Sequence, residues 1–201
     1  MAQRYAMPIA VLVLLACLGW PASSEQVTMA GRVVGPHGES VADAQVMVSY
    51  RDVDGKSTAA RAASHADGSF SFSLQVRDPE RSVQVAALKE GLALDWATVK
   101  PGEELTLELG ADPVACAGVV TGPDTEPIAG AQVWVRNLKR KQEEPRPIWP
   151  TEDDYLARSM YIPDNSFLGR TTDATGTFEI GGLSPDGIVH IAAEAEGRAY
   201  F

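Results

Sequence analysis

The sequence predicts an all-β chain of two tandem β-sandwiches that follow a cleaved targeting segment. One eight-residue phrase occurs twice, as "VADAQVMV" at 41–48 and "IAGAQVWV" at 128–135. Apolar and polar residues alternate around both copies, and Gly/Pro turns separate the alternating stretches. Short alternating strands with such turns are typical of a sandwich. No stretch after residue 24 has a sustained 3.6-residue apolar period with helix caps.

The first 24 residues resemble a secretory signal. "MAQR" supplies a positive charge, "AMPIAVLVLLACLGW" is an apolar run too short to span a membrane, and "PASS" allows cleavage after Ser24. An alternative takes "LLAC" at 14–17 as a lipobox with Cys17 acylated, although Leu15 fits that pattern poorly and no long polar tether follows. Both interpretations place the mature chain outside the cytoplasm, either secreted or in the cell envelope. A membrane contact is expected only if Cys17 is lipidated.

Composition and charge exclude one class of partner. An apolar content of 45% and a charged content of 22% are ordinary for a globular protein. The formal net charge of −10 argues against nucleic acid, which needs clustered basic residues. The mature chain retains only Cys116, so it has no intramolecular disulfide. Its position in an apolar strand pattern predicts a small buried residue.

Three blocks recur in the same order. Placing Gly31 on Gly118 aligns "GRVVGPHGESVADAQVMV" with "GVVTGPDTEPIAGAQVWV" without a gap. "HADGSFSFSL" then matches "TDATGTFEIGGL", with Asp67 and Asp173 taken as one recurring turn residue, and "VQVAALKEG" matches "VHIAAEAEG". Such self-similarity indicates two copies of one domain. We therefore predict a first sandwich at 25–110 and a second at 113–201.

The second copy is shorter at its end. The first closes with "WATVKPGEELTLELG", and residues 96–109 have no counterpart after "GRAYF". The second sandwich is therefore expected to lack its last strand, which leaves an open sheet edge. From this we expect a C-terminally incomplete domain belonging to a longer protein, or a second domain that is unstable alone.

The repeated wording resembles the carboxypeptidase regulatory-like domain, a transthyretin-like (prealbumin-like), immunoglobulin-like β-sandwich. The second copy resembles it more closely, through "PIAGAQVWV" and "TDATGTFEIGGLSPDG"; the first has Ser40, Asp43 and His65 at variant positions and lacks "LSPDG". The resemblance implies a non-catalytic module that serves as a structural spacer or adhesive domain. It also leaves open a carbohydrate-binding module of starch-binding-like fold, or the N-terminal extension of an outer-membrane receptor.

We find no catalytic, cofactor or metal motif. The histidines His37, His65 and His190 do not begin a zinc motif, and there is no nucleophile elbow, P-loop or dinucleotide fingerprint. "DVDG" and "TEDD" group carboxylates but lack the ligand count of a calcium loop. We therefore expect no enzyme activity and no cofactor.

One segment interrupts the repeat. The second copy carries about twenty extra residues within 138–166, rich in Pro and aromatic side chains. Aromatic faces on a loop of a rigid sandwich can bind sugars or peptides. One hypothesis is a ligand platform of Trp149, Tyr155 and Tyr161 for a glycan or an extracellular protein; the alternative is an extended hairpin whose aromatic residues cover the sandwich.

Overall fold

A computed structural model describes residues 25–140 and 159–196. All regular secondary structure in these two segments is β, as the sequence predicts. The described residues include no helix long and apolar enough to cross a membrane. Below, the first repeat denotes residues 25–110, and the second repeat denotes the described residues from 113 onward.

The first repeat forms two sheets. Its strands are β1 (Glu25–Val34), β2 (Gln45–Arg51), β3 (Ser57–Ala63), β4 (Ser69–Val76), β5 (Val83–Leu88), β6 (Asp95–Val99) and β7 (Leu105–Glu108). One sheet has the order β4-β1-β7, in which β1 runs antiparallel to β4 and parallel to β7. The other has the order β3-β2-β5-β6 and is antiparallel throughout.

The inner faces of these two sheets form a closed core. Alternation along the strands places every second side chain on the inner face. Met29 of β1, Val46 and Val48 of β2, Phe72 of β4 and Leu107 of β7 all lie in this one buried cluster. The first repeat is therefore a complete sandwich.

The second repeat contains six described strands. They are β8 (Val114–Val119), β9 (Gln132–Arg140), β10 (Ser159–Tyr161), β11 (Gly169–Thr171), β12 (Thr177–Leu183) and β13 (Gly187–Glu194). β8 pairs with β12 in one sheet. In the other, β10 and β11 pair with successive parts of one edge of β9, and β13 pairs with its opposite edge.

The strand pairing matches the two repeats element by element. β8, β9, β12 and β13 take the places of β1, β2, β4 and β5, and β10 with β11 takes the place of β3. Within the described part of the second repeat, β6 and β7 have no counterpart. The sequence predicted one missing strand. The corresponding segment of the first repeat contains two strands, β6 and β7, because the turn between them carries the chain from one sheet to the other.

The predicted insertion at 138–166 is partly strand. β9 continues to Arg140, and Ser159–Tyr161 returns as β10 against it. Residues 141–158 lie outside the described residues. The chain then leaves the edge of β9 and rejoins it as β11.

The turn before β2 and the equivalent turn before β9 each need a residue in the left-handed backbone conformation. Asp43 has φ 53° and its aligned partner Gly130 has φ 76°. Glycine adopts this conformation without strain, and Asp is among the few other residues that tolerate it. This backbone requirement explains why Asp can stand where the second copy has Gly.

A buried hydroxyl holds that turn in place. Ser64 Oγ donates to the Val41 carbonyl at 2.7 Å and accepts from the Ala44 N–H at 2.9 Å. In the second repeat, Thr172 Oγ1 donates to the Ile128 carbonyl at 2.7 Å and accepts from the Ala131 N–H at 2.9 Å. Ser64 and Thr172 are thus structural equivalents.

This equivalence corrects the sequence alignment of the second block. His65 N–H donates to Ser69 O, just as Asp173 N–H donates to Thr177 O, so Asp173 corresponds to His65. Asp67 and Asp173 therefore do not share one position, although both accept local backbone N–H bonds in a turn. Asp67 instead corresponds to Thr175, so pairing the two aspartates misplaced this position by two residues.

Candidate functional site

The outer face of the β3-β2-β5-β6 sheet is buried. In β2, Val46 and Val48 face the first core, so Met47 and Ser49 point to the opposite side. Met47 is nevertheless fully buried, and so is Ala86 on β5. A sheet that packed on one side only would leave these side chains in solvent.

The second repeat covers this face. One hydrophobic cluster contains four residues of the first repeat, Met47, Ala86, Leu94 and Trp96. From the second repeat it contains Val133, Val135, Leu138, Met160, Ile162, Phe167, Leu168, Ile180 and Leu183. The second repeat therefore shares its core with the first, whereas the first also has a core of its own.

Backbone and amide hydrogen bonds fix the two repeats against each other. The Leu94 N–H donates to the Gly182 carbonyl at 2.8 Å. The buried Gln84 amide donates to the Ser159 carbonyl at 2.8 Å, and its oxygen accepts from the Tyr161 N–H at 3.3 Å. A buried amide must be paired, so Gln84 requires β10 to lie at this register.

Arg61 closes one border of the contact. Its guanidinium lies 2.5 Å from the Asp164 carboxylate and donates to Ser166 Oγ at 2.9 Å. The same group lies 5.5 Å from the centre of the Phe167 ring. A planar guanidinium can pair with a carboxylate and stack on an aromatic face at once.

Arg140 lies at the opposite border of the contact. Here the arginine belongs to the second repeat and its partners belong to the first. It pairs with Asp95 at 3.0 Å, donates to the Trp96 carbonyl and lies 4.8 Å from the centre of the Trp96 ring. Both borders therefore use one arginine, one aspartate and one aromatic ring.

The Asp164 carboxyl is the titratable group at this contact whose pKa departs from its ordinary value. Burial raises that pKa, but the hydrogen bonds from Ser166 and the charge of Arg61 outweigh burial and hold it below the usual range. The ionised form is thus the one that fits the contact.

The structure describes one residue of the predicted aromatic platform. Tyr161 lies on β10 with 42% of its surface exposed. Trp149 and Tyr155 lie outside the described residues. The platform therefore remains a prediction.

The carboxylates that the sequence singled out are turn residues where the structure describes them. Asp52 accepts from the N–H groups of Asp54 and Lys56, and hydrogen bonds from Thr175 and Thr177 lower the pKa of Asp173. Side-chain and backbone hydrogen bonds from Ser69 likewise lower the pKa of Asp67. "TEDD" lies outside the described residues. Within 25–140 and 159–196, no three His, Cys, Asp or Glu side chains come together as a metal site would require.

Cys116 differs from the sequence prediction. We expected a small buried residue, but its free thiol is only half-buried. Its counterpart in the first repeat, Met29, is fully buried. The difference arises because β7 flanks β1 in the first repeat, whereas the described residues provide no such strand beside β8.

The contact residues Gln84, Arg61 and Arg140 were not identified from the sequence. One signal was available for the face itself. β2 contains three successive apolar residues, "VMV", and four of the five residues of "VQVAA" in β5 are apolar, which is typical of strands buried on both faces. Nothing in the sequence indicates which charged side chains border that face.

The comparisons with known proteins give distant structural matches. No family model matches the chain, and no curated protein matches it. Among solved structures it is similar to a DUF3823 family protein from Parabacteroides merdae, with 13% identity and a TM-score of 0.36 over 85% of this chain and 92% of that one. It is also similar to the shaft pilin SpaA from Lactobacillus rhamnosus GG, with 11% identity and a TM-score of 0.30 over 88% and 92%. A streptococcal ancillary pilin matches with 10% identity and a TM-score of 0.33 over 88% and 58%. The β-sandwich assignment rests on the strands and cores described above.

Proposed function

We propose that the protein is a non-catalytic extracytoplasmic unit in which two β-sandwich modules act as one rigid spacer or adhesive element. The observation that carries this proposal is the buried outer face of β2 and β5, where Met47 and Ala86 join the core of the second repeat. Modules joined only by a flexible linker would expose these side chains as an apolar patch. A shared core instead transmits force and orientation from one module to the next.

The extracytoplasmic location in this proposal is supported by the signal-like first 24 residues. The module identity is supported by the resemblance of both copies to the carboxypeptidase regulatory-like domain. In that family the implied role is structural or adhesive, which agrees with a chain whose recurring residues are turn and core residues. Carbohydrate binding through the inserted segment is the alternative role.

The proposal is tested by a charge on the shared face. Met47→Asp should separate the modules, because a buried unpaired carboxylate is strongly unfavourable in the contact and harmless once the face is solvated. Met47 belongs to the shared cluster and not to the first core, so the first repeat should remain folded. Gln45→Asp is the matched control, since Gln45 lies on the same side of β2 but is exposed.

Solution X-ray scattering and thermal unfolding of residues 25–201 provide the measurements. The wild type and Gln45→Asp should give one compact particle and one unfolding transition. Met47→Asp should give a more extended particle, in which the second repeat is no longer packed on the first, and a separate transition for the first repeat. If Met47→Asp scatters and unfolds as the wild type does, this face does not couple the modules and the proposal fails.

A further inference from the structure

One end of the first sandwich contains a cleft of about 450 Å³, a size at which pockets commonly hold small ligands. It lies between the turn that joins β2 to β3 and residues 77–82, which join β4 to β5. The described residues that line it all fall within 50–83. The cleft therefore belongs to the complete sandwich and does not arise from the strands that the second repeat lacks.

The inner wall of the cleft is apolar. Val76 at the end of β4 and Val83 at the start of β5 are buried members of the first core. Tyr50 of β2 is partly buried and packs against the same core. Because core side chains are closely packed, this wall has a fixed shape against which part of a ligand can rest.

Arginine side chains dominate the polar part of the lining. Arg51 ends β2, and Arg77 and Arg81 belong to the segment between β4 and β5. Among the described residues that line the cleft, Asp78 is the one acidic side chain. The whole chain has the opposite balance, with 17 basic and 27 acidic residues. The cleft is therefore a local positive region on an acidic protein.

Hydrogen bonds hold the two connections that carry these arginines. The Arg51 guanidinium donates to the Gly55 carbonyl at 2.9 Å. The Asp78 carboxylate accepts from the Glu80 N–H at 3.1 Å, and the Asp78 carbonyl accepts from the Arg81 N–H at 3.3 Å. The arginines thus extend from ordered turns, which lowers the conformational entropy lost when a ligand binds.

The fold itself does not require these arginines. In the second repeat the equivalent connection, between β12 and β13, consists of residues 184–186 and contains no basic residue. The first repeat uses six residues there and includes Arg77 and Arg81. The two arginines are therefore additions to the frame that the repeats share. Loops that vary on a common scaffold are where binding residues concentrate.

We propose that this cleft binds the oxyanion of a small acidic ligand, a carboxylate or a sulfate carried on a group about the size of one sugar unit. A guanidinium presents parallel N–H donors that match two oxygens of such a group. Arg51 and Arg77 line the cleft from different connections, so they bind the oxyanion together while the apolar wall contacts the rest of the ligand.

The charge of the protein favours a small ligand over a polyanion. The net charge of −10 repels a long anionic polymer. At physiological ionic strength charges are screened over about 8 Å. A small anion inside the cleft therefore interacts mainly with the arginines that line it.

The probes are glucuronate, which carries a carboxylate, and a glucose monosulfate, which carries a sulfate ester; glucose is the neutral control. Each is titrated into residues 25–201, and backbone amide shifts in NMR spectra are the readout. The two acidic sugars should bind saturably and shift the amides of residues 51–55 and 77–82, whereas glucose should not. Inorganic sulfate should compete with both, because the oxyanion is the group that they share. This shift map of the unmodified protein locates the site without any substitution.

Three variants test the arginines. Arg51→Gln and Arg77→Gln each remove one guanidinium and should weaken binding about tenfold or more, because hydrogen bonds between charged groups are strong. Arg32→Gln is the matched control, since it removes the same charge but Arg32 pairs with Ser69, at the other end of β4 from the cleft. It should change the affinity less than about twofold. All three arginines are exposed, and thermal unfolding checks that each variant is folded.

Four results would overturn the proposal. They are the absence of saturable binding, equal binding of glucose, amide shifts that lie away from the cleft, and binding that appears only after Glu152, Asp153 and Asp154 are neutralised together. The last result would assign the cleft to carboxylates of this chain itself. None of these results depends on whether the two repeats share a core, so failure here is distinct from failure of the proposed spacer role.

Discussion

At the scale of single residues, the two repeats share a buried hydroxyl with a structural role, on Ser64 in the first and on Thr172 in the second. Ser64 and Thr172 each tie the chain before a strand to the turn that precedes β2 or β9. Both side chains are buried, so their hydroxyls need these backbone groups as hydrogen-bond partners. The two copies therefore share the position and the hydrogen bonds of this hydroxyl, although the residue is Ser in one and Thr in the other.

Removal of this hydroxyl should therefore destabilise either repeat. Ser64→Ala and Thr172→Val each leave a backbone N–H and a carbonyl without the side-chain partner, which should lower the free energy of unfolding by about 1–3 kcal/mol. Thr172→Ser retains the hydroxyl and should cost less than Thr172→Val. Urea unfolding of residues 25–201 measures these differences. A larger loss for Thr172→Ser than for Thr172→Val would show that the methyl group, and not the hydroxyl, stabilises this turn.

The Asp164 carboxylate gives the contact a defined pH dependence. Its pKa is lower in the folded protein than in the unfolded chain, so its contribution is complete above the unfolded pKa and is lost as pH falls through the folded one. The free energy of unfolding of the wild type should exceed that of Asp164→Asn by up to about 1 kcal/mol near neutral pH, as expected for a partly exposed pair. The excess should decline below about pH 4.

Unfolding of both proteins between acid and neutral pH provides the comparison. Repeating it with Arg61→Gln in both backgrounds isolates the part that depends on the Arg61 charge. A difference that stays constant over the whole pH range would contradict the assigned role of the ionised carboxylate.

At the scale of elements, most of the fold could be predicted from the sequence. Alternation and turn residues identified the strands around Met29 and Phe72, because a strand with one solvated face has a period of two. The repeat then required the second set of strands. The division of the β3 counterpart into β10 and β11, which residues 162–168 separate, could not be predicted, since it depends on which residues of the inserted segment pair with β9.

The contact between the repeats was harder to predict for a physical reason. A strand buried on both faces loses its alternation, and "QVMVS" then differs little from any apolar run. Gln84 and Arg61 are polar residues on a buried face or at its border, and only the partner's position makes them favourable. Their role depends on tertiary arrangement, which periodicity does not encode.

The aromatic platform is an element-scale hypothesis that the described residues do not decide. Tyr161 is exposed on β10, and its N–H is engaged by Gln84. Its backbone is therefore fixed by the contact between repeats while its ring remains available to solvent. Any glycan or peptide bound there with Trp149 and Tyr155 would lie beside that contact.

At the scale of the whole molecule, the two repeats are unequal partners. The first has a closed core between its own sheets, and also a second apolar face. The second completes its core only with Met47, Ala86, Leu94 and Trp96 of the first. The second repeat should therefore depend on the first for its stability, whereas the first should be stable without the second.

Expression of the repeats as separate chains should reveal this inequality. Residues 25–110 should fold cooperatively and resist protease, and Met47→Asp should improve their solubility by placing a charge on the exposed face. Residues 113–201 alone should lack a cooperative transition, because separation exposes Leu138, Met160 and Ile162. Each fully buried side chain of this kind contributes about 1.5–3 kcal/mol, and a small domain has only about 5–15 kcal/mol of stability in total. Limited proteolysis and urea unfolding provide the measurements, and a separate second repeat as resistant and as cooperative as the first would show that it does not need the shared core.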